Sequence, residues 1–273
     1  MPVAQLSFIG GGNMARSLIG GLLATGMPAS GIRVADPGAQ VRDALARDFG
    51  VATYADNRLA IDGAELVVLA VKPQVMPALR PLADTLARHR PLLISIAAGV
   101  RLDQLERWFG NLPMVRAMPN TPALIGAGAT GLVANARVTP AQRAQAQHLL
   151  DTVGLSRWIA DESLMDTVTA LSGSGPAYVF ALAEALEAAA VAQGLPPDTA
   201  RLLAAQTCLG AGRMLAESGE DAGSLRRRVT SPNGTTQAAL DSFAADGFAA
   251  LVARAVAAAT ARGRAMAAAL DHD

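Results

Sequence analysis

The sequence predicts an α/β chain in which a doubly wound, mostly parallel sheet over residues 1–160 is followed by an all-α domain over residues 161–273. Three observations predict it. Short apolar runs alternate with segments of 3.6-residue periodicity through the first part, as strand–helix–strand units do. Runs such as Leu66-Val67-Val68-Leu69-Ala70-Val71 are apolar at every position, as a strand covered on both faces requires. After about Asp161 no such run recurs, and long helical stretches rich in Ala and Leu take over. At roughly 100–200 residues per domain, 273 residues suit two domains better than one.

The expected strands are Gln5–Ile9, Ile32–Asp36, Val51–Tyr54, Glu65–Val71, Leu92–Ala98, Met114–Met118, Gly131–Ala134 and Ser156–Ile159. Helical spacing between them is visible in Met14, Leu18, Leu22 and again in Val41, Leu45, Phe49. The later helices are expected at Pro176–Gln193, Pro197–Glu217, Thr236–Ala245 and Phe248–Leu270. Gly175-Pro176 and Gly194 frame the first of them. Their faces carry few charges, and a helix apolar nearly all round is usually buried. A domain so small and apolar is expected to hide its surplus surface against another subunit, giving a homo-oligomer built on a dimer through the C-terminal helices.

Composition narrows the partners. Lys plus Arg equals Asp plus Glu at 23 each, so no strong field draws the chain to nucleic acid or to an anionic membrane. No apolar run approaches the ~18 residues of a membrane span, and no signal segment opens the sequence, so a cytoplasmic protein is expected. Cys208 is the single cysteine, which excludes an intrachain disulfide, and no metal-ligand cluster is apparent. Lys72 is the only lysine, so any chemistry that needs a second one is excluded.

Phe8-Ile9-Gly10-Gly11-Gly12-Asn13-Met14-Ala15 ends a strand and opens a helix in the pattern Gly-x-Gly-x-x-Ala. Gly10 suits the tight turn, Gly12 lets backbone approach a pyrophosphate, and Ala15 allows close helix–strand packing. The helix start then offers N–H groups to phosphates. A nicotinamide dinucleotide, NAD(H) or NADP(H), is the expected ligand. Asp36 closes the second strand, about 20 residues on, where an acid either accepts from the adenosine ribose or caps the turn before Pro37-Gly38. Arg33 and Arg42 are near enough in sequence to meet a 2′-phosphate instead. Val71-Lys72-Pro73-Gln74 leaves the fourth strand at the carboxyl edge, where ligand loops gather, and Lys72 either contacts ribose or phosphate or is a solvated loop lysine. Met118-Pro119-Asn120-Thr121-Pro122 is a rigid corner whose Asn120 and Thr121 serve either a turn or a carboxamide.

Leu171-Ser172-Gly173-Ser174-Gly175-Pro176-Ala177-Tyr178 is expected to start a helix, with Ser172 or Ser174 as its cap or as part of a carboxylate-binding surface. Val229-Thr230-Ser231-Pro232-Asn233-Gly234-Thr235-Thr236 precedes another helix and is richer in hydroxyls than a turn needs, which favours a polar cradle for a substrate.

In this order the motifs resemble the pyrroline-5-carboxylate reductase family, over Phe8–Ala15, Ala70–Gln74, Arg116–Ala123, Leu171–Phe180 and Val229–Leu240. The resemblance implies a Rossmann-type domain followed by a helical domain that dimerises and often builds larger rings. It implies reduction of 1-pyrroline-5-carboxylate to L-proline with NADPH or NADH, the last step of proline biosynthesis. Gly10, Gly12, Asn13 and Met14 match positions near the coenzyme phosphates, Asn57 one near the adenosine ribose, and Val71, Lys72 and Pro73 positions on the ribose and nicotinamide side. Ser231, Gly234, Thr235 and Thr236 match the loop that holds the substrate carboxylate, and Thr236 the threonine that hydrogen-bonds the ring nitrogen. Asn233 stands where many members have glycine, and asparagine too adopts positive φ. The acid at Asp36 runs against the NADPH preference usual in such enzymes.

The residue inventory suits an imine. A ketone reductase needs a proton donor for the developing alkoxide. His89, His148 and His272 all lie outside the motifs. A cyclic imine can arrive protonated at nitrogen, so positioning its carbon over the nicotinamide is most of the work. A β-hydroxyacid dehydrogenase would resemble its relatives in using a lysine on the first long helix, and none exists here. A non-catalytic dinucleotide sensor would leave Ser231–Thr236 without a purpose.

Overall fold

The computed structural model describes residues 5–272. Strands β1 (Leu6–Ile9), β2 (Ile32–Ala35), β3 (Ala52–Tyr54), β4 (Leu66–Leu69), β5 (Leu92–Ser95), β6 (Met114–Met118), β7 (Gly128–Ala134) and β8 (Gly154–Trp158) form one sheet. Their order is β3-β2-β1-β4-β5-β6-β7-β8, parallel except between β6 and β7. Six short helices accompany it: α1 (Asn13–Ala24), α2 (Ala39–Phe49), α3 (Asn57–Ile61), α4 (Ala83–His89), α5 (Leu102–Phe109) and α6 (Pro140–Asp151). The chain order reverses between β1 and β4, the switch point at which a doubly wound sheet opens a crevice.

Successive residues feed opposite faces. Phe8, Val68 and Ile94 join the core with Leu18, Ile19 and Leu149, while Ile9, Leu69 and Leu93 join the core with Met76, Trp108 and Phe109. The strands expected to reach Asp36, Val71 and Ala98 stop at Ala35, Leu69 and Ser95. Register aligns Ile9 with Ala35 and Leu69, and Leu69 with Ser95, so the residues beyond leave the sheet together along one edge. Conversely, β7 starts at Gly128, earlier than expected. Glycine reads as a strand breaker, yet here it is required. A Cβ on Gly154 would lie 2.1 Å from the Gly128 carbonyl oxygen, so the two backbones approach too closely for a side chain.

The remaining helices are α7 (Met165–Val168), α8 (Gly175–Ala192), α9 (Pro197–Glu217), α10 (Ala222–Arg228), α11 (Thr235–Ala245) and α12 (Phe248–Ala269). The short α10, capped by Asp221 through Ser224 N at 3.0 Å, was hidden by its Arg226-Arg227-Arg228 run. The chain divides into two compact units: residues up to Ser174 together with those from Ala258 onward, and Gly175–Ala257. A helical domain counted from residue 161 is therefore a different partition, because Glu162, Asp166 and the end of α12 pack on the sheet unit.

Two expectations need correction. The segment Leu171–Tyr178 does open the long helix α8, but Ser172 does not cap it. A π-helical turn over Thr169–Gly173 runs on from α7 into α8, and the Ser172 hydroxyl donates back to the Val168 carbonyl at 3.0 Å. The expected absence of any span-length apolar segment also fails by composition. The helical run Glu162–Ala192 has 31 residues, and an 18-residue window of it reaches a mean hydropathy of 1.3, because alanine makes apolar what contains no long run of large side chains.

The end of α12 and the 3-10 turn Leu270–His272 that follows it are clasped to α5. Arg101 Nη2, Arg107 Nη2 and Gln104 Nε2 all donate to Asp271 Oδ1, at 2.7, 2.8 and 2.9 Å, and the buried Gln104 also donates to the Ala267 carbonyl. Arg101 foremost, then Arg107 and Gln104, holds the Asp271 carboxyl well below its ordinary value of 3.8. A carboxyl with a depressed folded pKa stabilises above its unfolded pKa, and that contribution is lost as pH falls through the folded value. Asp271→Asn is accordingly expected to lower Tm at neutral pH, and the Tm gap to wild type should narrow once pH drops below 3.8. A gap independent of pH would overturn the clasp.

Candidate functional site

Within the sheet unit, the carboxyl edge is where sequence-predicted residues converge. Gly10 has φ +98°, and a Cβ there would lie 2.6 Å from the Ala70 carbonyl oxygen and 3.1 Å from Val71 Cγ1, so only glycine fits this turn. Gly12 is the N-cap of α1, has no side-chain cap, and faces open space, with no atom within 4 Å of where its Cβ would be. The first-turn N–H groups of α1, Asn13 and Met14 among them, therefore point outward without helical acceptors. Ala15 is fully buried against the sheet, as its packing role requires. An open, uncapped helix start with its partial positive charge can receive an anion, and the glycine loop leaves room for it to come close.

Asp36 takes the turn role and a second structural one. Its Oδ1 accepts from Gly38 N at 2.8 Å, which is the turn role, and its Oδ2 accepts from Gly11 N at 2.8 Å. The second bond ties the glycine loop to the end of β2. Arg33 and Arg42 are already engaged: Arg33 donates to the Asp62 carbonyl at 2.6 Å, and Arg42 to the carbonyls of Asp36 and Pro37 at 2.8 Å. Asn57 is the first residue of α3, behind the Asp56 cap, and follows β3, whose Tyr54 carbonyl accepts from Asp36 N at 3.1 Å. Half-buried Val71 lies beside Gly10, and exposed Lys72 immediately precedes the 3-10 turns over Pro73–Leu82 without a side-chain capping bond.

Asn120 is buried and its amide is used for structure: it donates to the Ser172 carbonyl and accepts from Ala129 N, both at 2.9 Å. Thr121 is exposed. Sequence reasoning gave no role to Arg116, which is 3% exposed and pairs with Glu162 at 3.0 Å and Asp166 at 3.4 Å. The available signal was an arginine in the middle of the apolar strand Met114-Val115-Arg116-Ala117-Met118, which demands buried carboxylate partners.

The helical unit holds the second polar feature by itself. Gly234 N donates to the Ser231 carbonyl at 3.0 Å, Asn233 has φ +59°, and α11 starts at Thr235 behind Gly234, which has no side-chain cap. The tolerance of asparagine for positive φ is what keeps this loop closed. Ser231 and Thr235 are exposed and Thr236 half-buried, and none of their hydroxyls has a partner among the described residues. Backbone N–H groups and hydroxyls thus gather at a helix start, the arrangement that receives a carboxylate.

Fold and site together define a dinucleotide-dependent oxidoreductase with a separate helical unit. A family model described as pyrroline-5-carboxylate reductase dimerisation matches residues 162–266, and one described as NADP oxidoreductase, coenzyme F420-dependent, matches residues 5–99. A pyrroline-5-carboxylate reductase of Pseudomonas aeruginosa is 50% identical over 263 residues, covering 96% of each chain. One from Vibrio alginolyticus is 41% identical, over 96% of this chain and 97% of its own. The structure of the Coxiella burnetii reductase matches with a TM-score of 0.93 at 41% identity, over 97% of this chain and 98% of that one. The Plasmodium falciparum pyrroline carboxylate reductase, solved with NADP bound, matches with a TM-score of 0.85 at 29% identity, over 98% and 99%. The chain belongs to the pyrroline-5-carboxylate reductase family.

Proposed function

We propose that this chain reduces 1-pyrroline-5-carboxylate to L-proline with NADPH or NADH, as the last step of proline biosynthesis. The observation that carries the reading is the pairing, in one family member, of an open glycine-cradled helix start with a second uncapped helix start rich in hydroxyls. The bound nicotinamide supplies the hydride. Gly10 and Gly12 clear the approach for the coenzyme phosphates, and the N–H groups of Asn13 and Met14 receive them. Asn57 and Asp36 serve the adenosine ribose, and Val71, Lys72 and Pro73 the ribose and nicotinamide beyond it. Ser231, Gly234 and Thr235 hold the substrate carboxylate, and the Thr236 hydroxyl steadies the ring nitrogen. A protonated imine needs no strong enzymic acid, so orientation is the main work of these residues.

The helical unit favours a homo-oligomer built through its own surface. Phe180 is 66% exposed, Leu202 71% and Leu251 56%, far more apolar area than an isolated subunit normally shows. Purified protein is expected in the soluble fraction, sedimenting as a dimer or larger; a stable, active monomer would refute this.

The direct test is oxidation of NADPH and of NADH on addition of pyrroline-5-carboxylate, with 3-hydroxy acids inert. Coenzyme binding without imine turnover would leave a sensor instead of an enzyme. Thr236→Val removes one hydroxyl and keeps the shape. A hydrogen bond to a charged group is worth roughly 1.5–3 kcal/mol, so kcat/KM should fall about 10- to 150-fold with coenzyme affinity nearly unchanged. Full activity would leave Thr236 a mere helix residue.

Asp36 bears on coenzyme choice. Each carboxylate oxygen keeps a lone pair beyond its present N–H partner, so a ribose hydroxyl can still donate to it, whereas a 2′-phosphate meets a like charge. NADH should therefore be preferred. Asp36→Ser should raise the ratio of kcat/KM for NADPH over NADH, and weaken both coenzymes because Gly11 N loses its acceptor. An unchanged ratio would confine Asp36 to holding the loop.

A further inference from the structure

The end of β6 does more than close a turn. Arg116, Met118 and Asn120 stand at alternate positions of an extended segment and so share one face. Each grips the chain between Glu162 and Gly173. Arg116 pairs with Glu162 and Asp166, and Asn120 donates to the Ser172 carbonyl. The Met118 Cε lies 2.7 Å from where a Cβ on Gly173 would be, so the turn sits directly on that side chain.

The Asn120 contact meets a specific need. Within a helix, the Ser172 carbonyl would accept from the N–H four residues on, but residue 176 is a proline and has none. A buried carbonyl without a donor is costly. Asn120, 8% exposed, supplies that donor at 2.9 Å, while its own carbonyl accepts from Ala129 N at 2.9 Å. Among side chains of this length only an amide offers a donor at one end and an acceptor at the other. One side chain thereby joins three things: the Pro119–Asn120 corner, the start of β7, and the π-helical turn Thr169–Gly173.

That corner lies on the carboxyl edge, next in sheet order after the loops following β1, β4 and β5. A dinucleotide laid along this edge with its phosphates at the β1 loop would direct its nicotinamide end toward β5 and β6. We propose that Asn120 is a positioning residue for hydride transfer, locking the Thr169–Gly173 turn onto the wall against which the nicotinamide reacts. The inference rests on the reductase reading above.

The test compares Asn120→Asp and Asn120→Ala with wild type. Loose positioning should lower kcat about 10- to 100-fold and raise the primary isotope effect from coenzyme deuterated at the transferred position. Affinity for ADP-ribose, which lacks the nicotinamide, should stay within about two-fold. Amide hydrogen exchange over Thr169–Ser174 should quicken, because the turn loses its tether. Lowering the pH should partly restore Asn120→Asp, whose introduced carboxyl regains a donor on protonation, and should not restore Asn120→Ala. Variants with wild-type kcat, isotope effect and exchange would overturn the proposal. So would a fall in kcat matched by loss of folded protein with an unchanged isotope effect. Absence of imine turnover by wild type would instead sink the reductase reading itself.

Discussion

Much of this structure hangs on a guanidinium buried in a strand. Arg116 sits in β6 between apolar neighbours and is 3% exposed, which is tolerable only because Glu162 and Asp166 reach it. Glu162 also accepts from Leu102 N at 2.9 Å, at the start of α5. The pair of carboxylates thus draws the chain that leaves the sheet back across it. Further along the same chain, Asp166 lies against Gly263, where a Cβ would stand 3.2 Å from Oδ1, so the distal part of α12 packs close by. A hydrophobic replacement could hold as much stability, since buried ion pairs are weak stabilisers. What the charges do is tie Glu162 and Asp166, four residues apart, to one point on β6.

The binding features are made largely of backbone. Two helix starts, α1 and α11, both lack a side-chain cap behind a glycine. With glycine as the N-cap, leaving those N–H groups open costs each helix only roughly a few tenths of a kcal/mol relative to a good side-chain cap. The cost is consistent with ligand binding, because a capping side chain would occupy the place of an incoming phosphate or carboxylate. Asp36 makes the α1 loop rigid from below through Gly11 N, and so prepares the open N–H groups without filling them. Chemistry of this kind needs few titrating residues, which accords with histidines that lie outside every motif.

The helical unit presents the opposite balance. Among its residues only Ala200 and Leu225 are buried, although its sequence is mostly apolar. An 18-residue window with a mean hydropathy of 1.3 would suit a lipid by composition alone, whereas the family model that matches residues 162–266 is described as a dimerisation region.

The alternation of strands and helices, the glycine turn and the hydroxyl-rich loop were legible because each is a local pattern. Periodicity, a φ-permissive residue or a helix start can be read from neighbours in the chain. Strand ends, the early start of β7 and the continuity of α7 into α8 were not, because they depend on what lies across the sheet. Gly128 and Gly154 look like breakers until their backbones are seen in contact. Asp36 stayed ambiguous for the same reason, since nothing in the sequence shows Gly11 N within 2.8 Å of it. The sequence by itself determined the fold class and the family, and it singled out the glycine turn and the hydroxyl-rich loop, all of which rest on local conformation. Only the tertiary structure decided the roles of Arg116 and Asn120. Their partners lie about 50 residues away along the chain, and a buried charge or amide acquires its function from the group it faces.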